Sequence, residues 1–190
     1  MVIGIDVDGV IQDTENWFRA YAEIYDMEIG GGGIVEPEAN RVENRYGWEK
    51  HGEMLRFMHR YGFDVERNAP LLPGIREVLG KLKEMGHTLV VVTARGSIDP
   101  LEEEILAKRL EKENLPFDEV CVRCFDKVPA CKEKGVDILI DDGAWNINAV
   151  SCAGIKCLYM RGQVGDIIDH PLVTTVKNWG EVLRYFENLK

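Results

Sequence analysis

Short apolar runs alternate with amphipathic helical patterns along this chain, and that alternation restricts the fold more than any other feature. The runs are MVIGIDVDGV (1–10), HTLVVVTAR (87–95), DEVCVRC (118–124), VDILIDDG (136–143) and GIKCLYM (154–160). Each is short and rich in β-branched or other apolar residues, as buried strands are. Between them, PGIREVLGKLKEMG (73–86) places Ile75, Val78, Leu79 and Leu82 on one helical face, with Pro73 near its start and Gly86 past its end. Residues 99–115 open on Asp99, Pro100 and a run of glutamates, which suits the positive end of a helix dipole. A short helix is predicted over 127–134, another up to about Cys152, and a last one after Trp179. Strands alternating with helices make an α/β fold, a doubly wound parallel sheet with helices on both faces.

One stretch breaks the alternation. Asp13 is placed to cap a helix that carries Trp17, Phe18, Tyr21, Ile24 and Tyr25 on one face. GGGG (30–33) must be a loop, because glycine loses too much entropy in a regular element. Residues 34–72 are charged, with scattered aromatics and little strand character. Residues 13–72 are therefore expected to form a small helical cap with its own aromatic core, inserted after the first strand. Residues 1–12 and 73–190 then form the α/β core domain, and 190 residues suffice for both.

The net charge of −10 argues against nucleic acid and acidic membranes as partners, since both need basic surfaces. A small anionic substrate remains open if the site supplies its own cation. The N-terminus has no basic region, Asp6 interrupts its apolar stretch, and no apolar run approaches transmembrane length. The 5 cysteines all lie between Cys121 and Cys157; without an export signal they read as reduced thiols in a cytoplasm. CVRC (121–124) lacks the second pair that a zinc site wants, so its cysteines are expected in the core.

In a doubly wound sheet, ligands collect outside the carboxyl ends of the strands. The first strand ends in Asp6 and Asp8, the second in Thr93, and the strand at 136–142 in Asp141 and Asp142, with Lys127 opening the short helix before it. On a strand, Asp6 and Asp8 would share a face, where like charges repel unless a cation or a task separates them. Carboxylates, a hydroxyl and an ammonium gathered at one edge suit phosphoryl transfer. Carboxylate oxygens bind a hard Mg²⁺ ion. Thr93 and Lys127 can hold phosphate oxygens and spread charge. One carboxylate can attack phosphorus, and another two residues on can act as its acid–base partner.

The fragments DVDGV, VVTAR, the lysine before the fourth strand, and LIDDG resemble the ordered motifs of the haloacid dehalogenase superfamily of phosphohydrolases. Within it, FDKVPACKEKGVDILIDDG and the small helical cap look most like the cytosolic-type 5′(3′)-deoxyribonucleotidases and their bacterial nucleotidase relatives. The resemblance implies Asp6 as nucleophile and metal ligand, and Asp8 as acid–base with its backbone carbonyl on Mg²⁺. It likewise implies Thr93 and Lys127 on the phosphate, and Asp141 and Asp142 on the metal. The implied activity is Mg²⁺-dependent hydrolysis of a small phosphate monoester through an aspartyl-phosphate, with a nucleoside 5′-monophosphate preferred. The deoxyribonucleotidases carry a base-holding aromatic near the place of Thr14, and a second hydroxyl at the place of Ala94, which Arg95 follows. Arg95 either pairs with a substrate phosphate or with a neighbouring carboxylate.

Other readings share parts of this set. A sugar-phosphate phosphatase or a phosphomutase of the same superfamily keeps both leading aspartates. A haloalkanoate dehalogenase has no need of an acid–base at position 8, and a scaffold without activity has no need to fill every motif position. A phospho-acceptor receiver domain, the non-enzyme alternative, has its adjacent acidic pair early and its lysine last, the reverse of this chain. Trp48 is expected in the cap core rather than as a base-stacking surface, and Trp145 and Trp179 as packing anchors beside helix starts. His51, His59, His87 and His170 lack ligand spacing and read as surface or cap residues, and EEE (102–104) as a solvated helical turn.

Overall fold

The computed structural model of the chain describes residues 1–39, 41–48, 51–162 and 165–189. The strands are β1 (Val2–Ile5), β2 (Thr88–Val92), β3 (Glu119–Cys121), β4 (Ile138–Asp141), β5 (Lys156–Met160) and β6 (Val173–Val176). They form one sheet in the order β3-β2-β1-β4-β5-β6, every pair parallel. The strand order reverses beside β1, so the crevice between the carboxyl ends of β1 and β4 is the switch point where such sheets bind ligands.

The two-residue period of the strands sorts their side chains to two buried faces. Leu89, Val91, Ile138, Ile140 and Leu158 face one side, where α5 (Ile75–Glu84) brings Ile75, Leu79 and Leu82 and α9 (Trp179–Glu187) brings Trp179, Val182 and Phe186. Val90, Val92, Leu139, Cys157 and Tyr159 face the other, against Cys131 of α7 (Lys127–Glu133) and Ala144, Ile147 and Val150 of α8 (Ala144–Cys152). The doubly wound architecture follows directly from this alternation.

Between β1 and α5 the chain forms α1 (Thr14–Glu28), α2 (Val42–Arg45), α3 (His51–Phe57), a π-helical turn at Met58–Gly62, and α4 (Phe63–Asn68). Their buried aromatics, Tyr25, Tyr46, Trp48, Phe57 and Phe63, make a separate cluster that also takes in Ile105 of α6 (Leu101–Glu113). The Trp48 indole donates to Asp26 at 2.9 Å, as a core residue does. The two connections to the sheet run side by side: the Asp13 amide donates to Pro70 O and the Leu72 amide to Ile11 O, both at 2.9 Å. The Gln12 side chain donates to Glu66 O and Ala69 O, closing the same junction.

Several local expectations are corrected. β6 joins the sheet, its VTTV run too short and too polar to stand out. Ile24 is 41% exposed because Ala22 and Tyr25 take the buried face of α1. Asp13 sits at the N-cap but makes no cap hydrogen bond and instead accepts from Asn16. Trp145 is 75% exposed and anchors nothing, whereas Trp179 is fully buried. Glu102 is buried and accepts from the Gly96 amide, so the glutamate run is not wholly solvated. Among the cysteines, Cys124, Cys131 and Cys157 are buried, but Cys152 is exposed. His87 packs against Phe186 of α9, and burial lowers its pKa. The His51 side chain lies outside the described residues.

Trp179 ties the last helix to the loop after β1: its indole N–H donates to Val10 O at 2.8 Å. Replacing it by Phe leaves a buried carbonyl without its donor and a void beside it. Trp179→Phe should destabilise the protein by about 2–3 kcal/mol in denaturant unfolding. A change within about 0.5 kcal/mol would mean the indole is not part of the core.

Candidate active site

Asp6 follows the last residue of β1, and its amide still donates to Ile140 O of β4 at 3.0 Å. That bond sets Asp6 beside Asp141, the last residue of β4. Lys127, the first residue of α7, fills the space between them. Its Nζ lies 2.8 Å from Asp6 Oδ1 and 2.5 Å from Asp141 Oδ2, and the three residues are 7%, 0% and 2% exposed for Asp6, Asp141 and Lys127. The Asp126 side chain caps α7 by accepting from the Val128 amide. Asp141 is further held by the Gly143 amide at 2.7 Å and by Asn146 Nδ2 at 3.2 Å from each carboxylate oxygen.

Asp8 stands outside this cluster. β1 ends at Ile5, so the two-residue strand period does not set the relation of Asp6 to Asp8. Each carboxylate has its own cation. Arg95 donates through Nε to Asp8 Oδ2 at 3.0 Å and through Nη2 to Oδ1 at 2.7 Å, a planar two-point pairing. Of the two partners open to Arg95, the neighbouring carboxylate is the one it has. Thr93 is buried at the carboxyl end of β2, and its hydroxyl accepts from the Arg95 amide.

The protonation states follow from this division. Burial pushes Asp6 up to about 7; Lys127 works against that rise, and the negative charges of Asp141 and Asp8 add to it. Burial and the nearby Asp141 and Asp6 raise Asp142 well above the usual carboxylate range. Asp8 is pushed up by burial as well, but Arg95 overrides this and holds it below its ordinary value. Burial also raises Glu66 of α4, to about 8.

The residues present fit a hard cation. Asp6, Asp141 and Asp142 each offer an oxygen, these atoms lie within 4.8 Å of one another, and burial and neighbouring charges, with no side-chain hydrogen bond, set the state of the Asp142 carboxyl. Three carboxylates around a single ammonium leave negative charge in excess, and oxygen donors suit Mg²⁺ or Ca²⁺ rather than a soft metal. Gly9 is part of this arrangement. Its φ is +69°, and a Cβ there would stand 2.1 Å from Asp142 Oδ2.

Above the cluster lies a cavity of about 330 Å³. Asp8, Asp142 and Arg95 line its base, while Phe18, Met54 and Met58 of the helical segment form an apolar wall. Arg41 and Phe125 face each other at its mouth, the guanidinium 5.5 Å from the ring centroid. Sequence reasoning did not find Asn146, Glu66 or Glu102 at the site. None stands in a motif; Asn146 and Glu102 lie close in sequence to Asp141 and Arg95, whereas only the fold brings Glu66 there.

The comparisons with known proteins agree with this geometry. The family model described as 5′ nucleotidase, deoxy (pyrimidine), cytosolic type C protein (NT5C) matches residues 1–185. The chain belongs to that family. It is thus a phosphohydrolase of the haloacid dehalogenase-like type, as the motifs implied. Among solved structures, a haloacid dehalogenase-like hydrolase from Streptococcus pneumoniae is 19% identical, with a TM-score of 0.70 and 97% of each chain covered. A β-phosphoglucomutase from Clostridium difficile is 17% identical, with a TM-score of 0.65 over 98% of this chain and 95% of that one. CbbY from Rhodobacter sphaeroides, solved with xylulose-1,5-bisphosphate, is 17% identical, with a TM-score of 0.64 over 95% of each chain. At these identities the likeness is one of fold. No curated protein matches the chain. No described helix is long and apolar enough to cross a membrane.

Two outcomes are expected from the cluster. Gly9→Ala should push Asp142 aside and weaken Mg²⁺ binding by calorimetry at least about 10-fold, the scale seen when a supporting residue of a metal site is lost. The second concerns pH. Asp6 and Glu66, raised from 3.8 and 4.5 to about 7 and 8, keep protons in the folded chain where the unfolded chain has lost them. The metal-free protein should therefore lose stability as pH rises from about 4 to about 8. Mg²⁺, which favours the ionised carboxylates, should raise Tm more at pH 8 than at pH 5. An equal rise at both pH values would show that the cluster does not hold the ion.

Proposed function

We propose that this chain is a Mg²⁺-dependent phosphatase acting on a small phosphate monoester, by preference a nucleoside 5′-monophosphate. The observation that carries the reading is the buried set of Asp6, Asp141 and Lys127 at the switch point, next to Asp142, which with Asp8 lines a cavity.

In this reading Asp6, Asp141, Asp142 and the backbone carbonyl of Asp8 would hold Mg²⁺, which would supply the positive charge that offsets the phosphate dianion. Thr93 and Lys127 hold phosphate oxygens. Asp6 Oδ attacks phosphorus, the bond to the leaving oxygen breaks, and that oxygen takes a proton from Asp8, which has to enter this step in its protonated form against the pull of Arg95. A water then attacks the aspartyl-phosphate and passes its proton to Asp8. The phosphorus–Asp6 bond breaks with its electron pair returning to the carboxylate, and inorganic phosphate leaves. Lys127 stays between Asp6 and Asp141 throughout, where charge on Asp6 is lost and regained.

Residues 13–72 act as the cap that selects the leaving group, and residues 1–12 and 73–190 carry the chemistry. Phe18, Met54 and Met58 suit a largely apolar, planar leaving group, and Phe125 with Arg41 can cover it. The 5 free cysteines suit a reducing cytoplasm.

A panel of nucleoside monophosphates, sugar phosphates and 4-nitrophenyl phosphate, assayed with purified protein, tests the reading. Turnover should vanish on chelation, return with Mg²⁺ and be highest for a nucleoside 5′-monophosphate. Asp6→Asn should abolish it. Asp8→Asn should lose about 10²–10⁴-fold for esters with poor leaving groups, the usual share of a positioned acid–base. Full activity in excess chelator, or an active Asp6→Asn, would overturn the mechanism.

A further inference from the structure

Arg95 is buried with its guanidinium committed to Asp8, while Asp8 is the more open partner, with 36% of its side-chain surface exposed. A surface-facing carboxylate held by a buried arginine is oriented from beneath. Asp8 follows the end of β1 by several residues, so no strand ladder fixes it. The paired contacts through Nε and Nη2 fix both the position and the plane of its carboxylate. The guanidinium is itself boxed in. Glu66 of α4 approaches Nε at 4.0 Å without a hydrogen bond, and Glu66 Oε2 and Arg95 Nη1 are both buried without a partner. Asp8 is therefore the carboxylate that holds Arg95 by direct bonds, and Glu66 stands beside the guanidinium as a charge neighbour without a hydrogen bond to it.

We infer that Arg95 is the positioning residue of the second half of the reaction: it presents the Asp8 carboxylate to the water that cleaves the aspartyl-phosphate. This deepens the phosphatase reading and rests on it. In the two-point pairing both Asp8 oxygens act as acceptors; the Thr14 side chain also hydrogen-bonds this carboxylate, which leaves acceptor capacity directed away from both partners. That is the arrangement a proton acceptor needs. In the balanced step, water forms the new bond to phosphorus, its proton goes to Asp8, and the bond from phosphorus to Asp6 breaks. Lysine in place of Arg95 keeps a positive charge among Asp8, Glu66 and Glu102. It gives up the planar fork, so Asp8 is attracted but no longer oriented.

The assignment predicts a particular kinetic split. With 4-nitrophenyl phosphate the leaving group needs little protonation, so transfer to Asp6 should be nearly unaffected in Arg95→Lys. Hydrolysis of the intermediate should slow about 10- to 100-fold, part of a general base's share. Both kcat and KM should then fall by the same factor, leaving kcat/KM unchanged. Quenched-flow should show a burst of about one 4-nitrophenol per site. A merely structural role would lower kcat/KM and give no burst, and that result would overturn the inference.

A second readout needs no turnover. In ¹⁵N correlation spectra, the Arg95 Nε–H should be slow to exchange in the wild-type protein and should lose that protection in Asp8→Asn. A resonance indifferent to Asp8→Asn would overturn the inference by showing that Arg95 is held elsewhere. If the wild type turned over no ester while Arg95 behaved as described, the phosphatase reading would fail and the role would fall with it. A wild type that is active beside an unchanged Arg95→Lys would refute the role alone.

Discussion

A lysine ammonium buried between two carboxylates is the interaction on which the rest of this site depends. Lys127, Asp6 and Asp141 are nearly or fully withdrawn from water, and none could stay charged there alone. Removing one partner of such a set leaves a buried charge uncompensated, which typically costs about 3–5 kcal/mol. The fold supplies all of them from elements whose positions it cannot change cheaply. Asp6 and Asp141 end adjacent strands, and Lys127 begins a helix whose Cys131 is buried in the sheet core.

The charges are also divided with some economy. Lys127 serves Asp6 and Asp141, Arg95 serves Asp8, and Asp142 has neither. One hard cation beside Asp142 would complete the balance. The division gives the two leading aspartates opposite characters from the same side-chain chemistry. Asp6 is raised by burial among its neighbours, whereas Asp8 is lowered because Arg95 outweighs its burial.

The first five strands, the helices between them and the placement of Asp6, Thr93, Lys127, Asp141 and Asp142 at one edge were legible in the sequence because each rests on a local signal. β-Branched runs mark buried strands, and polar residues at strand ends mark the edge where ligands bind. What was not legible depends on contacts between distant segments. Ile24 fits the periodicity of an apolar face, but the packing of α1 buries Ala22 and Tyr25 instead. Glu102 sits in an acidic helical turn that reads as solvated, yet the loop at Gly96 folds over it. The pairing of Arg95 with Asp8 spans 87 positions of sequence, and no spacing rule announces it. β6 is an edge strand with polar residues at its centre, so its pattern lacks the apolar run that marked the inner strands.

The shape of the cavity is tied to the sheet through α6. Ile105 belongs to the aromatic cluster of the helical segment, while its neighbour Leu106 belongs to the core beneath the sheet. One helix thus has adjacent residues anchored in different clusters. Moving the helical segment away from the sheet must either expose Ile105 or carry α6 along and disturb Leu106. Exposing a buried side chain of that size costs about 1.5–3 kcal/mol. The paired connections at Gln12 and Leu71 add further resistance at the other end of the segment. Phe18, Met54 and Met58 are therefore held over Asp8 and Asp142 from two sides. The volume of the cavity is consequently set by the packing of α6 and the junction, rather than by the charged residues that line it.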